Sequence, residues 1–163
     1  MRPAEEIRFL ILAAQREGNR QLAQALRPLG VTPAQAEVLR LLADRQPLTL
    51  TGLGELLVCE SGTNPSRLVD RMVVAGLVSR AEAGHDRRHV ELTLTHAGGQ
   101  IAAEIARIEE QLYESLETAG KGHDLDDVRA YLRALVAGQP AGLAVQRRVG
   151  GPAGRASPDA PGG

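Results

Sequence analysis

The 163-residue chain holds one cysteine, Cys59, which excludes an internal disulfide and any CxxC-type zinc or iron–sulfur site. Aromatic residues are scarce too: Phe9, Tyr113 and Tyr131, with no tryptophan. Binding of single strands by stacking needs several π faces along a groove, so this composition argues against it. Neither charge sign dominates, since 19 basic and 20 acidic side chains leave a formal net of −1. The chain is no polybasic nucleic-acid coat, and a DNA-binding surface would have to arise by local clustering. No apolar run approaches the roughly 20 residues that span a bilayer, and the opening MRPAEEIRF lacks the apolar core of a signal peptide. A reduced, cytoplasmic setting is the expectation. P-loop, G-x-S-x-G, H-E-x-x-H and dinucleotide glycine fingerprints are all missing. Gly52-Leu53-Gly54 is only a G-x-G, without a third glycine or a preceding long strand. Neither an enzyme nor a bound cofactor is expected.

What is present is mostly helical periodicity. Ile7, Leu10, Ile11 and Ala14 begin an apolar stripe that Leu22, Ala25, Leu26 and Leu29 resume, predicting a first helix over 4–29 with a weak point near Gly18. Thr32, Pro33 and Gln35 spell a capping box with proline in the first turn, so a second helix starts there and ends at Gln46-Pro47. A short extended piece at Leu48–Leu50 leads to a third helix from about Thr51, and Ser61-Gly62 makes a turn. Asn64-Pro65 then starts a fourth helix that stops at Gly76. Leu77–Ala81 and Val90–Leu94 read as two strands around a polar loop at 82–89. Thr95 caps a long fifth helix, whose stripe Ile101, Ile105, Ile108, Leu112, Leu116 runs for roughly 36 Å at 1.5 Å per residue. Such a stripe outreaches a small domain, so part of it should meet another chain. Asp124 caps a sixth helix with Leu125, Val128, Leu132, Leu135 and Val136. From Gly138 the Gly-, Pro- and Ala-rich sequence lacks periodicity and is expected to be a disordered tail with solvated Arg147, Arg148 and Arg155.

Three short helices followed by a hairpin are the order of a winged helix-turn-helix. Projected at 100° per residue, the Pro65–Ala75 segment places Leu68, Val69, Met72 and Val73 on one side and Ser66, Arg67, Asp70 and Arg71 on the other. Val74 falls on the polar side. Taken alone, such a segment is more often an amphipathic surface helix with solvated arginines. The hairpin tip Gly84-His85-Asp86-Arg87-Arg88-His89 shifts the balance, because paired arginines on a glycine turn suit a phosphate backbone or a narrow minor groove. Residues 61–90 carry five arginines against three carboxylates, so positive charge gathers on this unit.

The run SRLVDRMVVAGLVSRAEAGHDRRHVELTLTHAG resembles the characteristic stretch of the MarR (multiple antibiotic resistance regulator) family. Arg71-Met72, Gly76-Leu77-Val78, Arg80, Asp86, Arg88, Leu94-Thr95 and Gly98 carry the likeness, which extends over about residues 5–137. It implies a mainly α, six-helix winged helix-turn-helix with a small β-hairpin wing. It also implies a homodimer built through the first, fifth and sixth helices. The expected divisions are a dimerisation helix (1–30), a DNA-binding lobe (31–95), dimerisation helices (96–137) and the tail (138–163). The expected function is a sequence-specific double-stranded DNA-binding regulator, a repressor released by a small organic effector, acting on a pseudo-palindromic operator. Ser61, Thr63, Asn64, Ser66, Arg67, Arg71, Arg87 and Arg88 are the expected DNA contacts. Arg80 and Asp86 are expected to scaffold the wing, Asp86 by bridging to Arg88 or Arg80.

An effector would sit among the first, second and fifth helices, in the neighbourhood of Ile11, Gln15 and Val38. Cys59 offers two readings, a buried structural residue or an oxidant sensor, and the neighbouring Glu60, which would raise a thiol pKa, favours the first. Some relatives of the family sense oxidants through a reactive cysteine, usually near the N-terminal part of the first helix, where this chain has none. The four histidines, His85, His89, His96 and His123, are too scattered to suggest a metal site. A winged-helix module used for protein contacts, without a specific DNA target, remains the alternative from another class.

Overall fold

The computed structural model describes residues 1–59, 65–83 and 86–150, of which 82, 83 and 86–89 are described by backbone alone. The first helix, α1, runs unbroken over Pro3–Leu26 and tightens into a 3-10 turn at Arg27–Leu29. The second, α2 (Pro33–Arg45), opens on the capping box that its sequence predicts. Thr32 Oγ1 accepts from the Gln35 N–H at 3.3 Å, and Gln35 Oε1 accepts from the Thr32 N–H at 2.9 Å. Strand β1 (Leu48–Thr49) and the short α3 (Leu50–Gly54) follow, with Thr49 capping α3 through the Gly52 N–H. Helix α4 covers Pro65–Val74, and Gly76 leaves it with φ +71°, a conformation that side chains other than glycine resist.

Strands β2 (Val78–Ala83) and β3 (Asp86–Leu94) form the wing. The sheet has three strands in the order β1-β3-β2, all antiparallel, because Leu48 and Thr49 pair with Leu92 and Glu91. Two points differ from expectation. The hairpin has gained a third strand too short to show alternation. Most of the expected 82–89 loop is ladder, with Ala83 opposite Asp86, since backbone pairing in an exposed ribbon does not need an apolar face.

Helix α5 (His96–Ala119) begins where Thr95 Oγ1 accepts from the Gly98 N–H at 3.0 Å, and the same hydroxyl donates to the Gly76 carbonyl at 2.7 Å. Helix α6 (Leu125–Leu135) is capped by the Asp124 carboxylate, which accepts from the Asp126 and Asp127 N–H groups. Residues 138–150 overturn the expectation of a tail without regular structure. Pro140–Val149 form a seventh helix, α7, entered through proline in its first turn after Gly138 turns the chain at φ +73°. The helix was illegible because its buried positions are Gly142 and Ala144, which give no apolar stripe. The remaining tail, 151–163, lies outside the described residues.

The core joins α1, α2, α3, α4, the sheet and the first half of α5. Leu26, Val38, Leu39, Leu42, Leu53, Val69, Met72, Leu92 and Ile105 are fully buried in it. This arrangement is the winged helix-turn-helix, with α3 and α4 as the turn unit. Gly98 brings the start of α5 against the start of β2, where an added Cβ would collide with the Leu77 carbonyl. Alanine is the better helix former by up to about 1 kcal/mol. At this backbone contact the collision should still win, so Gly98→Ala is expected to lower stability by about 1–3 kcal/mol in urea or thermal unfolding. A variant as stable as wild type would refute this account of the junction.

Candidate nucleic-acid interface

Helix α4 is anchored by Leu68, Val69 and Met72, all buried, with Val73 half-buried beside them. Periodicity then forces the other face outward. Arg67, Asp70 and Arg71 are exposed and Ser66 is half-buried, as the projection predicts. Val74, the exception in the projection, is 90% exposed at the end of the helix. No residue among those described pairs with the guanidinium of Arg67 or Arg71. Arg71 lines an open groove of about 620 Å³ together with Arg16 and Arg20 of α1, Thr32 and Cys59, so basic side chains from two helices share one concavity.

Asp70 has a role that sequence reasoning missed. Its carboxylate pairs with Arg80 Nη2 of β2 at 2.8 Å. Arg80, one of the two partners expected for Asp86, thus ties the wing to α4. Both side chains are substantially exposed, 35% for Arg80 and 52% for Asp70, so the pair orients more than it stabilises. It also neutralises the one carboxylate of α4's outer face. The expected contacts Ser61, Thr63 and Asn64 lie outside the described residues, as do the side chains of Asp86, Arg87 and Arg88.

The effector neighbourhood comes apart in the structure. Val38 is fully buried and offers no surface, Gln15 is exposed, and Ile11 lines an apolar trough between α1 and α6. That trough, open and of about 790 Å³, is formed by Ile7, Leu10, Ile11, Ala14, Val128, Tyr131 and Leu132. A smaller cleft of about 260 Å³ lies where α1, α2, α5 and α7 meet. Arg40 Nε pairs there with Glu109 Oε2 at 3.0 Å, and Tyr113, Glu37, Cys59 and Arg148 complete the walls. Burial, with the nearby Glu109 carboxylate, pushes the Tyr113 phenol above its ordinary pKa, so it stays a neutral donor at physiological pH. Cys59 is exposed, which corrects the expectation of a buried structural cysteine. Its place at the end of the turn after α3, not inside the core, accounts for the difference. Among the described residues, no group of three or more His, Cys, Asp and Glu side chains could hold a metal ion.

A model of the MarR family matches residues 29–89, from the end of the 3-10 turn into β3. The organic hydroperoxide resistance transcriptional regulator of Bacillus subtilis is 29% identical over 136 residues, covering 83% of this chain and 90% of that protein. Wild-type MarR from E. coli in its apo form superposes with a TM-score of 0.59 at 26% identity, over 83% of this chain and 96% of the other. The S. aureus MepR–DNA complex gives a TM-score of 0.71 over 78% of this chain and 94% of that one; at 19% identity this likeness is one of fold.

Breaking the Asp70–Arg80 pair tests how it acts. A double-mutant cycle with Asp70→Ala and Arg80→Ala should give a coupling of under about 1 kcal/mol in unfolding, the range of exposed ion pairs. A coupling of several kcal/mol would make the pair a structural tie instead.

Proposed function

From its likeness to the MarR family of transcriptional regulators, we propose that this chain is a homodimeric repressor that reads a pseudo-palindromic double-stranded DNA operator. The observation that carries this reading is the polarity of α4, which buries Leu68, Val69 and Met72 and turns Arg67 and Arg71 outward. An arginine in the first turn of a groove-lying helix can pair bidentately with a guanine edge. Ser61, Thr63, Asn64 and Ser66 would serve base edges and phosphates at the start of α4, and Arg87 and Arg88 of the wing would reach the backbone or minor groove. Arg80, held by Asp70, would keep the wing aligned with α4, and Asp86 would scaffold its tip.

Dimerisation accounts for the apolar surface that one chain leaves uncovered. No residue of α6 is buried, although Leu125, Val128, Tyr131, Leu132 and Leu135 give it an apolar stripe, and Leu116 at the far end of α5 is 68% exposed. Exposed stripes of this size on neighbouring helices mark an interface. Two α4 helices on one face of the duplex would then sit about 34–36 Å apart. A small organic effector would act by binding DNA-competent and incompetent arrangements unequally, and the cleft beside Tyr113 and Arg40 is the site we favour for it. The chain is read as non-enzymatic and cytoplasmic. Among the described residues no helix is long and apolar enough to cross a membrane.

A mobility-shift titration with the duplex upstream of its own gene tests the reading. Retention should be sequence-specific and fall with salt, whereas equal weak binding to any duplex would favour a protein-contact module. Arg67→Ala should relax specificity at one base position, at a cost of about 1–3 kcal/mol. Arg88→Ala should weaken binding evenly across sequences and reduce the salt slope by about 1.

A second reading, oxidant sensing through Cys59, is favoured by the exposure of that residue in the groove that Arg71 of α4 also lines and by the name of the Bacillus subtilis relative. Under it, an organic hydroperoxide should weaken DNA binding of wild type and leave Cys59→Ser unaffected. Equal responses of the two proteins would dismiss it.

A further inference from the structure

Helix α7 is fastened to the back of the turn unit by three arginines. Arg45, at the end of α2, donates to the Arg147 and Arg148 carbonyls at 3.3 and 2.6 Å, satisfying the carbonyl end of α7. Arg147 donates to the Glu55 carbonyl at 3.4 Å and stands 3.8 Å from the Glu55 carboxylate. Arg148 reaches deepest. Its Nε donates to the Leu56 carbonyl at 2.7 Å, and its Nη2 pairs with the carboxylate of Glu37.

Among the described residues, Glu37 is the one charged residue in the buried set, with its side chain 6% exposed. Besides Arg148, it accepts from the Val58 N–H at 2.7 Å and the Cys59 N–H at 3.0 Å. One carboxylate and one guanidinium therefore hold Leu56, Val58 and Cys59 by their backbones. These residues follow α3, whose last residue, Gly54, lies against the first residue of α4. A Cβ on Gly54 would stand 3.3 Å from the Pro65 ring. Without Arg148, Glu37 would be a buried carboxylate lacking its counter-charge, an arrangement that proteins relieve by moving the chain around it or admitting water.

We infer that Arg148 and Glu37 are positioning residues for DNA reading: they fix the backbone of 56–59, and so the seat of α4, which makes helix α7 a working part of the reading head. This rests on the DNA-binding role proposed above. A long guanidinium fork is required, because one Lys ammonium cannot span the Glu37 carboxylate and the Leu56 carbonyl in the same geometry.

The test compares wild type, Arg148→Ala, Arg148→Lys and Arg107→Ala. Each is titrated, well below its melting temperature, with the duplex upstream of its own gene and with a scrambled duplex of equal length. Arg107 forms an exposed pair with Glu104 on α5, so its loss controls for removal of one positive charge. The upstream duplex should be bound about tenfold more weakly by both Arg148 variants, with scrambled-duplex binding little changed. Arg107→Ala should match wild type on both. Deuterium exchange at the Val58 and Cys59 amides should quicken in the Arg148 variants. If Arg148→Ala does not fold, the lysine variant decides. An Arg148 variant that melts earlier but keeps the wild-type ratio of upstream to scrambled affinity would overturn the inference, leaving α7 a stabilising helix only. Wild type that fails to distinguish the two duplexes would bring down the DNA-binding reading, and this inference with it.

Discussion

The burial of α4's inner face is the constraint on which the rest of the molecule depends. Leu68, Val69 and Met72 are inserted among α2, α3 and the sheet, and a helix so fixed has no freedom to roll about its axis. Its outer side chains are aimed by that packing and not by contacts of their own. This lets Arg67 and Arg71 remain without partners among the described residues, available to a ligand of opposite charge. Asp70, the residue that could have neutralised them, is drawn aside by Arg80.

Where local chemistry decides structure, the sequence was legible. Caps such as Thr32, Thr95 and Asp124 act within three residues of themselves, and each stands where its side chain implied. The two faces of α4 were readable for a similar reason, since 3.6-residue periodicity survives in ten residues. What escaped detection depends on partners distant in sequence. Two residues of β1 carry no pattern, and only Leu92 and Glu91 make them a strand. Arg80 chose Asp70 across the space between strand and helix. Glu37 reads as one more acidic residue on α2 until Arg148, 111 positions later, is brought beside it. Helix α7 buries small residues, and small residues leave no hydrophobic trace.

The molecule divides its apolar surface in two. One part closes within the chain around Leu39, Leu42 and Ile105. The other, spread over α1, α6 and the far end of α5, stays open to solvent in a single copy. Helices formed early in the chain and helices formed late in it thus share one uncovered face, with the reading lobe carried between them. The order of elements along the chain keeps those two tasks on different residues.

The threonine at the head of α5 has a mechanical meaning. Its hydroxyl accepts from the Gly98 N–H and donates a hydrogen bond to the Gly76 carbonyl, while the bare Cα of Gly98 rests on the backbone of Leu77. The joint between the long helix and the lobe therefore behaves as a weld and not as a pivot. A torque along α5 would reach the lobe through these close contacts, whereas the positive-φ corners at Gly30 and Gly122 lie outside the joint.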